Sequence, residues 1–172
     1  STYPTPSEVY NKLAKASSFD SNPSSQHSRG KEALKHINKT SKFLKDFFRT
    51  DFDIIYHSGA TEFFNTVFSP SNCDGLIYSQ CDHSAVHDVA KHLKTSTLKL
   101  GHLDSHTDWL QKTKAFSEKL STPWFNFQWM NNETGEVQPI EWIEKIKKET
   151  NCLVHVDAVQ TVGKIDEFQS IQ

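Results

Sequence analysis

The sequence predicts an α/β protein of three layers, in which a mostly parallel sheet is flanked by helices. Short apolar segments alternate along the chain with longer segments whose apolar residues recur at helical spacing. Polar residues follow several of the short segments directly, as they do where parallel strands end at a ligand crevice. Such alternation is typical of parallel strands joined by helices, because neighbouring parallel strands need a long connection.

Two helices are predicted before the first strand. Val9 and Leu13 are apolar at helical spacing within residues 6–16. Residues 17–28 are polar and predict a loop. Residues 29–48 repeat apolar positions with lysines between them, and this pattern predicts a long amphipathic helix.

Five short strands are predicted further along, each of them apolar and followed by polar or turn residues. In one of them Phe125 and Phe127 alternate with Asn126 and Gln128, which is the period of two expected for a strand. The predicted strands are residues 52–56, 76–78, 98–103, 124–130 and 153–156, and helices are predicted over residues 63–68, 84–93 and 107–120 and from Pro139 onward.

Composition limits the functional classes. The 172 residues carry a formal net charge of -2, so no basic surface for nucleic acid or for an anionic membrane is expected. No apolar run approaches the roughly 20 residues that span a bilayer, and the first residues lack the apolar core of a signal peptide. We therefore expect a soluble cytoplasmic protein whose three cysteines are reduced. They are Cys73, Cys81 and Cys152.

Two pairs of histidines have the spacing of metal ligands on one turn of a helix. His83 and His87 form one pair, and His102 and His106 form the other. Neither pair has a third ligand nearby in the sequence, whereas a zinc site needs three or four protein ligands. We therefore expect solvated histidines and no metal.

The segment after the first predicted strand has the chemistry of an anion site. Gly59, Ala60 and Thr61 follow that strand and open a predicted helix. Unpaired backbone N–H groups and the positive end of the helix dipole favour an anion there, and the Thr61 hydroxyl adds a donor. The alternative is simple capping of the helix by Ser58 or Thr61, which this segment taken alone favours.

Four more polar residues follow predicted strands, namely His83, Asn132, Asp157 and Gln160. Because the carboxyl ends of parallel strands meet at one edge of a sheet, we expect these four and Thr61 to line one crevice. The set suits a small ligand with a phosphate at one end and a basic ring nitrogen at the other. The alternative for the histidine is a surface or capping residue, and for the asparagine it is turn chemistry.

These residues bring out a resemblance to the cysteine desulfurases of the class V aminotransferase family, which are pyridoxal 5'-phosphate (PLP) enzymes of fold type I. The matching segments keep the family's order and extend over nearly the whole chain. They are residues 22–30, Ser58-Gly59-Ala60-Thr61-Glu62, Asp82-His83-Ser84-Ala85-Val86, Asn131-Asn132-Glu133-Thr134-Gly135 with Gln138-Pro139, and His155-Val156-Asp157-Ala158-Val159-Gln160 with Val162-Gly163-Lys164.

The resemblance implies roles for the first three predicted site residues. Ala60 and Thr61 would hold the cofactor phosphate. His83 would be a catalytic residue that stacks on the pyridine ring and moves protons. Phe63 and Phe64, which follow the phosphate segment, replace the more polar residues that are usual in the family.

The resemblance also implies roles for the residues near the end of the chain. Asp157 would pair with the ring nitrogen, and a carboxylate there keeps the pyridinium protonated, so that the ring withdraws electrons. Gln160 and Asn132 would contact the side of the ring that carries the phenolic oxygen. All of these contacts would be noncovalent.

In the family the lysine that binds PLP covalently, the nucleophilic cysteine and the substrate-binding arginine come later than the position of Gln172. We expect residues 1–30 to form an N-terminal helix and loop segment and residues 31–172 to form part of the PLP-binding large domain, without the C-terminal small domain. This chain alone is then expected to be inactive.

The complete protein is expected to be a homodimer that removes sulfur from L-cysteine, yields alanine and an enzyme persulfide, and passes the sulfur to an acceptor protein. One alternative is another class V activity, such as that of a selenocysteine lyase or an aminotransferase. The other is a noncatalytic protein that keeps the fold to bind PLP or a partner.

Overall fold

The computed structural model describes residues 4–17, 21–102 and 104–165. These residues fall into two compact units, with the division between Tyr56 and His57. The first unit is helical, and the second contains a sheet with helices on both faces. The second unit therefore confirms the predicted three-layer α/β fold.

The first unit contains the two predicted N-terminal helices. Helix α1 spans Ser7–Ser17, and helix α2 spans Ser28–Phe48. His27 caps α2, because its Nδ1 atom accepts the backbone N–H of Gly30 at 3.2 Å. The domain boundary predicted between residues 30 and 31 falls inside α2, which continues unbroken across it.

One predicted strand is wrong. Residues 52–56 have no strand structure, and their apolar side chains are largely in solvent, with Phe52 81% and Ile55 74% exposed. Apolar character alone does not make a strand, since the backbone must also pair with a neighbour. In the described part of the chain no helix has the length and apolar character that a membrane crossing requires.

The second unit is built on a four-stranded sheet in which all neighbouring strands run parallel. The strands are β1 (Gly75–Ser79), β2 (Ser96–Leu100), β3 (Pro123–Gln128) and β4 (Leu153–Asp157), in the spatial order β2-β1-β3-β4. The two strands predicted over 98–103 and 124–130 end earlier than expected. Leu103 lies outside the described residues, and Met130 forms only an isolated antiparallel bridge with Val137.

Helices cover both faces of this sheet. They are α3 (Ala60–Val67), α4 (Ser84–His92), α5 (His106–Ser117) and α6 (Glu141–Glu149). One core cluster joins α3 and α4 to one face through Phe64, Phe68, Leu76 and Val86. A second cluster lies on the other face, where Leu110 of α5 and Ile146 of α6 pack with Ile77, Phe125 and Phe127.

The pleat decides which side chains of β3 and β4 meet α3. Phe125 and Phe127 belong to the cluster beneath α5 and α6, so Asn126 points to the opposite face. In the same way, Val154 and Val156 of β4 pack against that cluster, whereas His155 alternates with them. Asn126 and His155 are direct partners in the parallel pairing of the two strands.

Candidate functional site

A cavity of about 260 Å³ lies where the carboxyl end of β4 meets the start of α3. Ala60 at the start of α3 and Asp157 at the end of β4 both line this cavity. The parallel sheet accounts for its position, because ligands bind outside the carboxyl ends of parallel strands. Its lining residues are His57, Gly59, Ala60, Phe63, Phe64, His155, Val156, Asp157, Ala158 and Val159.

The start of α3 has backbone donors and no side-chain cap. Gly59 is the N-cap residue, its backbone is extended, and no side chain caps the helix. The backbone N–H and Oγ of Ser58 instead donate to Glu62 Oε2, at 2.7 and 2.6 Å. Neither Ser58 nor Thr61 therefore caps α3. The first N–H groups of the helix lie beside open space at Gly59.

Asp157 is half-buried, and one of its carboxylate oxygens takes part in the turn that follows β4. Asp157 Oδ1 accepts the backbone N–H of Val159 at 3.1 Å. This bond orients the carboxylate at the edge of the cavity. Gln160 lies next in the same turn, and its Oε1 atom accepts a hydrogen bond from Lys164 Nζ at 2.6 Å.

His83 is exposed and caps helix α4. Its Nδ1 atom accepts the backbone N–H of Ala85 at 3.2 Å, which confirms the capping alternative. Because Nδ1 accepts, the proton of the neutral ring is on Nε2. His83 and Thr61 line a second cavity, of about 310 Å³, between α3 and α4.

The predicted single crevice is thus divided between two cavities that share the start of α3. Ala60 and Asp157 line the first, and Thr61 and His83 line the second. Asn132 is exposed in the loop after β3 and lines neither of them.

The neighbouring Asn131 holds the loop that carries Asn132. Its Nδ2 atom donates to the carbonyl of Cys81 at 2.7 Å, and its Oδ1 atom accepts the backbone N–H groups of Glu133 and Thr134. The turn chemistry considered for this segment therefore belongs to Asn131.

Three polar side chains that were not predicted as site residues form a hydrogen-bonded chain beside the first cavity. His155 Nδ1 lies 2.7 Å from Asn126 Oδ1, and Asn126 Nδ2 donates to Asp82 Oδ2 at 2.8 Å. The same carboxylate oxygen accepts the backbone N–H of Ser79 at 3.0 Å. We call Asp82, Asn126 and His155 the buried polar chain, since Asp82 is only 6% and Asn126 only 2% exposed.

Burial favours the neutral form of both titratable groups in this chain. Desolvation raises the pKa of Asp82 to about 7, although hydrogen bonds from Asn126 and Ser79 oppose the shift. Desolvation lowers the pKa of His155 to about 4, although the nearby charge of Asp157 opposes it. His155 is therefore neutral near pH 7, with one of its ring nitrogens protonated.

One sequence feature points to the buried polar chain. Asn126 stands between Phe125 and Phe127 in a strand, and a polar residue in a covered strand needs hydrogen-bond partners. Asp82 and His155 are the first residues of two segments that carry the family resemblance, but neither was assigned a role. Their pairing across three strands required knowledge of the strand order.

The comparison with known proteins agrees with this geometry. Residues 1–167 match the family described as aminotransferase class-V. The chain belongs to this family. Class-V aminotransferases and the cysteine desulfurases among them depend on PLP.

The class-V relatives most similar in sequence include cysteine desulfurases. The mitochondrial cysteine desulfurase of Candida albicans is 30% identical over 151 residues, which are 83% of this chain and 31% of that protein. The cysteine desulfurase of Gluconacetobacter diazotrophicus is 30% identical over 154 residues, which are 84% of this chain and 38% of that protein. The chain thus spans 31% and 38% of the length of these two relatives.

Solved structures lead to the same class-V fold. A structure described as a NifS-like protein is 25% identical, with a TM-score of 0.76 over 95% of this chain and 48% of that one. The predicted resemblance to cysteine desulfurases is therefore confirmed.

The groups around the first cavity fit the two ends of PLP. Backbone N–H groups at the start of α3 suit a phosphate, and the Asp157 carboxylate suits a protonated ring nitrogen. Both line the same cavity, and a side-chain Cβ built at Gly59 meets no atom within 4 Å. In the described residues no group of three or more His, Cys, Asp or Glu side chains has the arrangement of a metal site.

The three thiols of this class-V chain are not activated. Burial raises the pKa of Cys73 to about 11, and it also raises the pKa values of Cys81 and Cys152. A thiol reacts as its thiolate, so these shifts make all three poor nucleophiles near pH 7.

Proposed function

We propose that this chain forms part of the PLP site of a cysteine desulfurase, in which L-cysteine and an enzyme thiol give L-alanine and an enzyme persulfide. One cavity is lined by both Ala60 and Asp157, and this pairing supports the proposal most strongly. The similarity to cysteine desulfurases in sequence favours this reaction over other class-V activities.

The start of α3 would hold the cofactor phosphate. Its first backbone N–H groups and the positive end of the helix dipole attract an anion, and the absence of a side-chain cap leaves those donors to a ligand. Thr61, the second residue of α3, would add a hydroxyl donor by the family resemblance, and it lines the second cavity, which shares the start of α3.

Asp157 would hold the ring nitrogen in its protonated form. When PLP is bound, its protonated ring supplies an electron sink for carbanions formed on the amino-acid substrate. A carboxylate favours this form because it stabilises the positive charge. The bond from the Val159 N–H to Asp157 Oδ1 fixes the carboxylate in position beforehand.

His83 would lie against the ring and transfer protons. Its Nδ1 atom is already occupied by the Ala85 N–H, so Nε2 is the nitrogen left to donate a proton to a substrate atom or to accept one back. Asn132 and Gln160 would contact the ring from loops after β3 and β4, which remains a prediction from the family resemblance.

We place the sulfur nucleophile outside Cys73, Cys81 and Cys152, because burial raises the pKa of each of these thiols and disfavours the reactive thiolate. The substrate, the sulfur acceptor and the persulfide thiol therefore belong to the proposal for the complete protein. A homodimeric assembly, a cytoplasmic location and the division of domains at residue 30 remain predictions as well.

The test is turnover of L-cysteine by the complete protein purified in the presence of PLP. We expect alanine and persulfide sulfur in equal amounts, and an intact mass that increases by one reduced cofactor after borohydride treatment. Asp157→Ala should lower kcat by roughly 10²-fold or more, because the protonated ring loses its counter-charge. Asp46→Ala, which removes an exposed carboxylate ion-paired with Lys42, is the matched control and should leave kcat unchanged.

The contrary outcomes are distinct from one another. Near-normal turnover in Asp157→Ala would remove Asp157 from the site. Cofactor incorporation without alanine would overturn the desulfurase activity in favour of a noncatalytic PLP protein. Sulfur-free products from another amino acid would identify a different class-V reaction.

A further inference from the structure

We propose that His155 is a positioning residue, which acts through Asn126 and Asp82 to hold together the three segments that carry Thr61, His83 and Asp157. The hydrogen bonds are seen in the structure, and the positioning role assigned to them rests on the proposed function. The three segments are the start of α3, the turn before α4 and the end of β4.

The direction of the hydrogen bonds follows from the carboxylate end. Once Asp82 is ionised its carboxylate can only accept, so Asp82 Oδ2 then receives the Nδ2 donor of Asn126. Asn126 Oδ1 then faces His155 Nδ1 at 2.7 Å and can only accept. His155 must therefore carry its proton on Nδ1, which leaves Nε2 without one in the neutral ring.

The carboxylate end fixes the turn that presents His83. Asp82 Oδ2 accepts the N–H of Ser79 at 3.0 Å, and the N–H of Asp82 donates to the Ser79 carbonyl at 3.2 Å. The two reciprocal bonds close the turn between β1 and α4. His83 is the next residue, so its backbone position depends on Asp82.

The imidazole end packs against α3. The His155 ring lies 4.7 Å from the ring of Phe63, 5.5 Å from that of Phe64 and 6.0 Å from that of Phe68, measured between centroids. Phe63 and Phe64 follow the proposed phosphate segment directly. These two aromatic residues therefore give the neutral His155 ring an apolar surface to pack on.

His155 also lies two residues before Asp157 on the same strand. The period of two places both side chains on one face of β4, and both line the first cavity. Movement of His155 would therefore shift Asp157, α3 and the His83 turn relative to one another. A bridge of this kind sets the distance between the proposed phosphate and ring-nitrogen contacts before any cofactor binds.

The protonated nitrogen of His155 is directly measurable. The experiment is a two-bond ¹H–¹⁵N correlation spectrum of the ¹⁵N-labelled protein without PLP, at about pH 8.5, where Asp82, with its pKa of about 7, is ionised. The His155 signals are identified by their loss in His155→Gln. We expect the neutral Nδ1–H form, and a neutral Nε2–H form or an imidazolium would overturn the proposal.

The positioning role is tested with PLP alone and two buried variants of β3. Asn126→Leu removes the central link and should raise the dissociation constant for PLP roughly tenfold, because the proposed contacts lose their spacing. Phe127→Ala alters the adjacent buried residue on the other face, and should change that constant less than roughly twofold at a comparable loss of stability. Equal effects of the two variants would overturn the positioning role.

The outcomes distinguish failure of the proposed function from failure of the inference about His155. If the unmodified protein binds no PLP, the proposed function and the positioning role both fail, whereas the Nδ1–H form would still establish the hydrogen-bonded chain. If PLP binds but His155 carries its proton on Nε2, only the inference about His155 fails.

Discussion

Two groups of residues lie side by side at the carboxyl edge of the sheet, and they differ in exposure. Ala60, Thr61 and His83 are exposed, and we call them the exposed rim. The buried polar chain lies beneath, with Asn126 only 2% exposed and hydrogen-bonded at both ends of its amide. The rim offers its groups to a ligand, whereas the hydrogen-bonded atoms of the chain are directed to one another.

This difference separates binding from stability. A group in water loses little when its side chain is removed, because water replaces the lost partner. A buried group that loses its partner stays unsatisfied and costs the protein its desolvation free energy. Substitutions in the buried polar chain should therefore mainly lower the free energy of unfolding, and substitutions in the exposed rim should mainly weaken cofactor binding.

The largest effect on stability is expected for Asn126→Leu. The substitution leaves the Asp82 carboxylate without its amide donor and the His155 N–H without its acceptor, so we expect a loss of about 3 kcal/mol in the free energy of unfolding. Urea denaturation measures it. Thr61→Ala, on the exposed rim, is the control and should cost less than about 0.5 kcal/mol. Similar losses in the two variants would remove the distinction between rim and chain.

A smaller effect is expected in the pH dependence of stability. The pKa of Asp82 is raised in the folded state to about 7, so its contribution to stability is complete below its ordinary value of 3.8 and is lost as pH rises. The pKa of His155 is lowered to about 4, so its contribution is complete above its ordinary value of 6.5 and is lost as pH falls. Between about pH 4 and 6.5 the stabilising contribution of Asp82 falls as pH rises, whereas that of His155 increases.

Removing either Asp82 or His155 should reveal the pH dependence of stability that the other residue causes. Relative to the unmodified protein, the free energy of unfolding of Asp82→Asn should rise with pH in that window, by up to about 1.4 kcal/mol per pH unit. That of His155→Gln should fall with pH by a similar amount. Denaturation at several pH values measures both, and parallel curves for the three proteins would refute the assigned shifts.

An effect on stability smaller than that of Asn126→Leu is expected on the rim, at His83. His83→Ala removes the cap of α4 and should cost about 1 kcal/mol. His83→Asn should restore most of that stability, since asparagine is a good cap. If His83 also contacts the ring, the absorption spectrum of bound PLP will differ from that of the unmodified protein in both variants. A normal spectrum in His83→Asn would limit His83 to capping.

The sequence was sufficient for most of the fold, since buried parallel strands require runs such as Leu76 and Ile77 and the helices between them keep a regular apolar spacing. It failed at residues 52–56. Phe52 and Ile55 have the character of strand residues, yet a strand also depends on hydrogen bonds to another segment. Side-chain pattern carries no information about that partner.

Site residues could be placed from the sequence where their position relative to a single strand was enough. Asp157 ends β4 and His83 lies in the turn after β1, so strand order was not needed to place them at the carboxyl edge. Asn126 was missed because a polar residue in an alternating strand also fits a solvent-facing position. Asn126 points to the face of the sheet that α3 and α4 cover, and these helices supply Phe64 and Val86 from distant parts of the sequence.

The pairing of Asn126 with His155 has a consequence for how the sheet folds. Large apolar side chains on both faces of a parallel strand tolerate several alignments with a neighbour. A slip of β4 by one residue would turn His155 to the other face, and a slip by two would place Leu153 or Asp157 opposite Asn126. Either slip leaves Asn126 Oδ1 without the donor that His155 supplies. A single buried asparagine specifies the register of a coiled coil in the same way. The three polar side chains thus favour one strand register over its alternatives.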